Sequence, residues 1–153
     1  MLGESDLKGE VVKRIRRIAI PAAAALMLTF IVASVAYAAT LVGTNGSNAL
    51  IGTRGPDIID GLNGFDVLES KRGNDELYTG AGNDEAYGAK GADYLVGGTG
   101  FDQLYSGRGN DRIEAADGRR DDVVCGAGKA DSATVDDDDF IDRCEIINGD
   151  PVE

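Results

Sequence analysis

Residues 73–87 read GNDELYTGAGNDEAY, so Gly-Asn-Asp-Glu returns after nine residues with an aromatic at the same offset. Extending that phase in both directions divides residues 43–114 into eight nonapeptides: GTNGSNALI, GTRGPDIID, GLNGFDVLE, SKRGNDELY, TGAGNDEAY, GAKGADYLV, GGTGFDQLY and SGRGNDRIE. The fourth place is Gly in all eight: Gly46, Gly55, Gly64, Gly73, Gly82, Gly91, Gly100 and Gly109. The sixth is Asp57, Asp66, Asp75, Asp84, Asp93, Asp102 and Asp111, with Asn48 in the first repeat. The eighth is aliphatic throughout: Leu50, Ile59, Leu68, Leu77, Ala86, Leu95, Leu104 and Ile113. With 22 glycines in 153 residues, eight in fixed phase have a chance of roughly 10⁻⁷. Low-complexity drift would not also keep an aliphatic residue two places after each Asp. The repeat is structural.

Each place has a physical reason. A recurrent fourth Gly suits a turn that needs positive φ or a close backbone approach. Asp two residues later offers carboxylate oxygens from that turn. The three residues centred on the eighth place, such as Glu76-Leu77-Tyr78, read as a very short strand with one inward apolar side chain. A turn and a three-residue strand, repeated, cannot enclose a globular core. They can stack into a two-faced coil.

Composition agrees. The chain carries 15 basic and 27 acidic residues, no His and no Trp, for a formal charge of −12. Nucleic acid and anionic membrane would be repelled, whereas cations would be concentrated. Much of the apolar content lies in the first forty residues, and the acidic, Gly-rich remainder is short of large side chains. Hydrophobic burial therefore needs help from another source.

The N-terminus has the layout of a secretory signal peptide. Lys8, Lys13, Arg14, Arg16 and Arg17 precede an apolar run over Ile18–Val35, and Ala36-Tyr37-Ala38 supplies a small-x-small cleavage pattern. Cleavage is expected after Ala38, and an uncleaved anchor is the alternative. The mature chain would hold 10 basic and 24 acidic residues, a charge of −14, and would be secreted with no membrane attachment. Cys125 and Cys144, the only cysteines, are expected to form a disulfide in such a chain. Closing that loop stabilises by roughly 3 kcal/mol in the chain-entropy model.

The nonapeptides resemble the haemolysin-type calcium-binding repeat, the RTX motif G-G-x-G-x-D-x-U-x. That resemblance implies an all-β fold: a right-handed parallel β-roll, an RTX-type solenoid with two repeats per turn, preceded by a signal-peptide helix. It also implies several Ca2+ ions between successive turns, held by the seven sixth-place aspartates and by backbone carbonyls of loops carrying Gly55, Gly64, Gly73, Gly82, Gly91, Gly100 and Gly109. Loops on one side then lie eighteen residues apart, pairing Asp57 with Asp75, Asp75 with Asp93, Asp93 with Asp111, Asp66 with Asp84 and Asp84 with Asp102. Asn48 with Asp66 would make a weaker terminal site. Only Gly97-Gly98 keeps both leading glycines, and Ser70-Lys71 keeps neither, so uneven occupancy is expected. The phase slips after Glu114, where Asp122 or Asp121, and then Asp131, become the candidate donors. The resemblance extends to small exported members ending in a two-cysteine arrangement, which makes 115–153 degenerate repeats and a disulfide-closed cap after the 39–114 repeats. Asp136–Asp139 reads as a solvated acidic run or an extra cation site.

Two columns recur outside the repeat's fixed places. Tyr87 and Tyr105 share the ninth place eighteen residues apart, after Glu69, and should stack as a ladder on an outer face. Arg54, Arg72, Lys90 and Arg108 recur at the third place, where partial neutralisation of nearby carboxylates is the expected role. Catalysis is not expected, because there is no His for acid–base work or an HExxH zinc site, and the aspartates follow the structural repeat.

The sequence thus points to an exported calcium-binding protein that folds on the ion. Without calcium, stacked carboxylates about 5 Å apart repel by roughly 0.8 kcal/mol per pair in water. Calcium takes six to eight oxygens, a number that suits a pair of loops better than it suits magnesium. The alternatives are a calcium-stiffened adhesion module with an unidentified extracellular or cell-surface partner, and the repeat region of a toxin or exoenzyme.

Overall fold

The computed structural model describes residues 30–32 and 37–151. The expected signal-peptide helix lies outside them, apart from Phe30–Val32 and residues 37–38, and Phe30–Val32 forms a strand, β1. The described residues contain no helix and build a parallel β-solenoid of about 6 turns.

Two sheets make its walls. One has the order β1-β3-β5-β7-β9-β11-β13, with β3 at Ala49–Ile51, β5 at Val67–Glu69, β7 at Glu85–Tyr87, β9 at Gln103–Arg108, β11 at Asp122–Ala127 and β13 at Phe140–Asp142. The other runs β15-β14-β12-β10-β8-β6-β4-β2, with β2 at Thr40–Thr44, β4 at Ile58–Gly64, β6 at Glu76–Gly82, β8 at Tyr94–Thr99, β10 at Arg112–Glu114 and β12 at Ser132–Thr134. It ends in β14 at Ile146–Ile147 and β15 at Asp150–Pro151. Each strand from β1 to β12 pairs in parallel with the strand two places on, so the chain alternates between walls.

The register follows the eighth place of the repeat. Leu50 pairs with Leu68, Leu68 with Ala86, Ala86 with Leu104 and Leu104 with Val123. On the other wall Leu41 pairs with Ile59, then come Leu77, Leu95, Ile113 and Ala133. All of these side chains are buried. They face one another between the walls as two columns, one side chain per strand, each leucine contributing about 1.5–3 kcal/mol by leaving water. Only one wall keeps three-residue strands for most of its length. The long strands β4 and β6 run on through the turn, because Asn63 pairs with Ala81 and Gly64 with Gly82.

The C-terminal turns absorb the phase slip as loop insertions. Asp102 and Asp121 are 19 residues apart, and Asp111 and Asp131 are 20 apart, yet both pairs keep their stacking. Cys125 and Cys144 are joined and buried among the last core residues. Beyond them Asn148 and Gly149, both with positive φ, turn the chain back as the antiparallel pair β14–β15. A two-residue Asn-Gly turn favours such a hairpin and ends the parallel stacking. On the outer faces, Tyr87 and Tyr105 stack with ring centroids 5.1 Å apart and planes 7° apart, as expected of the ladder.

Candidate metal centres

The turns are shaped by left-handed backbone at two places. Fourth-place Gly64, Gly73, Gly82, Gly91, Gly100 and Gly109 have φ between 134° and 157°. A Cβ on Gly82, Gly91, Gly100 or Gly109 would overlap the carbonyl oxygen of the fourth-place glycine one turn earlier. These glycines are therefore required twice, for conformation and for close approach. Gly46 and Gly55 do not take positive φ. The second place is left-handed too, in Gly80, Gly98 and Gly107 but also in Leu62, Lys71 and Ala89. That conformation explains the second glycine of the consensus.

Each sixth-place Asp then enters a ladder. Its Oδ1 accepts the backbone N–H of the equivalent residue one turn earlier, at 2.7–3.0 Å: Asp66 from Asn48, Asp75 from Asp57, Asp84 from Asp66, Asp93 from Asp75, Asp102 from Asp84 and Asp111 from Asp93. One side of the solenoid stacks Asp57, Asp75, Asp93 and Asp111, and the other Asn48, Asp66, Asp84 and Asp102. The eighteen-residue stacking that the family resemblance implies is therefore the one the fold makes.

Both ladders continue into the cap. Asp121, rather than Asp122, accepts from Asp102 at 2.8 Å, and Asp131 accepts from Asp111 at 2.9 Å. Asp139 Oδ1 accepts from Asp121 at 2.8 Å, which gives one member of the acidic run a defined place. Glu145 closes the other ladder by accepting from Asp131 at 2.9 Å. Glu145 was not anticipated, since it differs in residue type and follows Asp131 by only 14 positions. Its one signal was its position after Cys144.

The second oxygen of these carboxylates is the unusual feature. Oδ2 of Asp66, Asp75, Asp84, Asp93, Asp102, Asp111, Asp121 and Asp131 is buried without a hydrogen-bond partner. An orphaned buried acceptor costs about 1–3 kcal/mol, and more when it carries charge. Four such oxygens stand in register on each side of the solenoid, where a proton or a cation would neutralise them. Burial pushes the carboxyls of Asp66, Asp93, Asp102 and Asp121 up to about 7, against the pull of the backbone N–H and with help from neighbouring aspartates. Asp75, Asp84, Asp111 and Asp131 are raised for the same leading reason.

Asp57 differs. Its Oδ1 accepts from Ala39 N at 2.7 Å, and Thr53 donates to its Oδ2 through N–H at 2.6 Å and hydroxyl at 3.1 Å. Asn48 is closed similarly by the N–H of Thr44 at 2.6 Å. The first turn thus satisfies its own acceptors.

The space beside the orphaned oxygens is set by the first place of the repeat. A methyl group on Gly61 would sit 2.7 Å from Asp66 Oδ2 and 2.5 Å from the carbonyl oxygen of Thr79. On Gly88 it would sit 2.7 Å from both Asp93 Oδ2 and the carbonyl oxygen of Ser106. Glycine therefore leaves an oxygen-lined cradle on a scale that suits calcium, whose ligands lie at about 2.3–2.6 Å. Where the first place is Ser70 or Ser106, the hydroxyl enters instead and donates to the carbonyl of Gly88 at 2.7 Å or of Cys125 at 2.6 Å; Thr79 donates likewise to Gly97. Lys71 reaches back to the carbonyl of Gly52 at 2.9 Å. Among the described residues no three carboxylates converge on one point, so any coordination shell there needs further oxygens, from backbone carbonyls or water.

Fold and site together define a β-solenoid with a carboxylate ladder in the turns on each side. Residues 42–75, 60–95 and 87–120 match the family model described as the RTX calcium-binding nonapeptide repeat (4 copies), which together covers more than half of the chain. The chain belongs to that family. No curated protein and no solved structure matches it.

Proposed function

We propose that this is an exported, non-enzymatic protein whose solenoid folds on binding calcium between successive turns. The row of buried, unpartnered Oδ2 atoms carries this reading. Asp66, Asp75, Asp84, Asp93, Asp102 and Asp111 are the central ligands, Asp121 and Asp131 extend them into the cap, and turn carbonyls complete the shells. Calcium supplies the positive charge that the buried carboxylates lack. The chain's own part is to aim one oxygen of each carboxylate at the previous turn's N–H, which leaves the other directed at the ion. Neither ligand ladder exists in the unfolded chain, so binding free energy becomes folding free energy. The basic leader and the cysteine pair support export to an oxidising compartment.

Equilibrium dialysis of the full chain against calcium tests the reading. Several ions per chain are expected at the roughly 10⁻⁴–10⁻³ M typical of extracellular calcium modules. Uptake of none, or no preference over magnesium, would contradict it.

A further inference from the structure

Arg54, Arg72, Lys90 and Arg108 all fall on one edge of the solenoid, stacked on successive turns. The third places of the opposite edge are Asn45, Asn63, Ala81 and Thr99, which carry no charge. None of the four makes a direct ion pair with a carboxylate among the described residues. Ion pairs among the described residues are Arg112–Glu114, Arg120–Asp122 and Arg143–Asp142. The four stacked cations belong to none of them, and all four are exposed. Backbone contacts hold their turns in register: Lys90 and Arg108 form a parallel bridge, and their carbonyls accept from Gly73 at 3.0 Å and Gly91 at 2.9 Å.

These cations line one side of a shallow groove of about 860 Å³. Tyr105 and Val124 add an apolar wall, and Glu69 is its one carboxylate. A column of exposed, unpaired cations in a groove is a local positive field on an otherwise acidic surface, and it complements a linear anion. Its spacing is that of neighbouring strands, about 4.8 Å, which is close to the length of one sugar ring in a polysaccharide chain.

We infer that this groove is a docking surface for a linear carboxylated polysaccharide laid along the solenoid axis. Such a chain carries a carboxylate on every ring; those on the side facing the column, every second or third ring, meet its cations, and the C–H faces of the rings meet Tyr105 and Val124. A nucleic acid duplex fits poorly. Its charge recurs about every 1.7 Å along the axis, and that density would be repelled by the acidic remainder of this protein. The inference rests on the fold and its surface, independently of the ions between the turns.

The test is calorimetric titration of the full, calcium-loaded chain with soluble oligogalacturonate at low ionic strength. Binding is expected, weakening as salt is raised. Arg72→Gln/Lys90→Gln/Arg108→Gln should weaken it roughly ten- to hundredfold, the sum of three exposed ion pairs. Asn45→Asp/Asn63→Asp/Thr99→Asp makes the same change in net charge on the opposite edge and should leave binding within about threefold. Circular dichroism in parallel separates loss of fold from loss of binding, and binding lost only together with the fold would also count against the groove. The inference is overturned if oligogalacturonate does not bind, if both triple variants lose equally, if single-stranded DNA binds more tightly, or if light scattering shows that the groove instead takes a second copy of the chain.

Discussion

In Asp93 the two carboxylate oxygens have different tasks. Oδ1 accepts the N–H of Asp75 at 3.0 Å and belongs to the backbone scaffold, whereas Oδ2 is buried with no partner. Asp93→Asn keeps an acceptor for the scaffold and removes the charge, which separates the two tasks. The calcium midpoint of folding should rise about tenfold, equivalent to about 1.4 kcal/mol. Asp57→Asn should act differently, destabilising the first turn with and without calcium, because Ala39 and Thr53 each donate an N–H to one of its oxygens and an amide can accept only one of the two. Calcium titrations of the two variants by circular dichroism check this; equal shifts would mean that Asp57 is a ligand of the same standing. The special status of Asp57 was not legible in the sequence, where it fills the sixth place like any other. It arises from Thr53, four residues away, and nothing in the nine-residue pattern marks that threonine as a donor.

At the scale of the element, the strand centres were legible because each repeat states them again, whereas the eighteen-residue stacking came with the resemblance to the RTX motif. A side chain every nine residues leaves no other way to bury Leu68, Leu77 and Leu95. The same periodic signal fails where the chain departs from it. One or two inserted residues left Asp121 and Asp122 indistinguishable, and only the stacking on Asp102 separates them. The extension of β4 and β6 through the turns is set by backbone pairing of Asn63 with Ala81 and of Gly64 with Gly82, which no apolar side chain signals. The disulfide spans 19 residues within the last turns of the solenoid. Cys125→Ser/Cys144→Ser should cost roughly 3 kcal/mol, read as a lower calcium-loaded melting temperature. Loss of this order without loss of calcium binding by the central turns would place the bridge in the cap alone. An unchanged melting temperature would show that the last turns add nothing to the solenoid.

For the whole molecule, the buried carboxylates make stability depend on pH in opposite senses with and without calcium. In the ion-free solenoid Asp66, Asp93, Asp102 and Asp121 are raised from the ordinary 3.8 to about 7, so the folded state holds protons that the unfolded state releases. Their contribution to stability is complete below 3.8 and is lost as pH rises through about 7. Calcium requires the ionised carboxylates, so its binding strengthens over that same interval. Acid protons and calcium ions thus become alternative ways of neutralising one set of buried oxygens. The most direct measurement is far-ultraviolet circular dichroism of the full chain across this pH range, once with excess chelator and once with saturating calcium. A β-rich spectrum is expected near pH 4 in chelator, lost by about pH 8 and restored there by calcium. A β-rich spectrum that persists at pH 8 in chelator, unchanged when calcium is added, would contradict it.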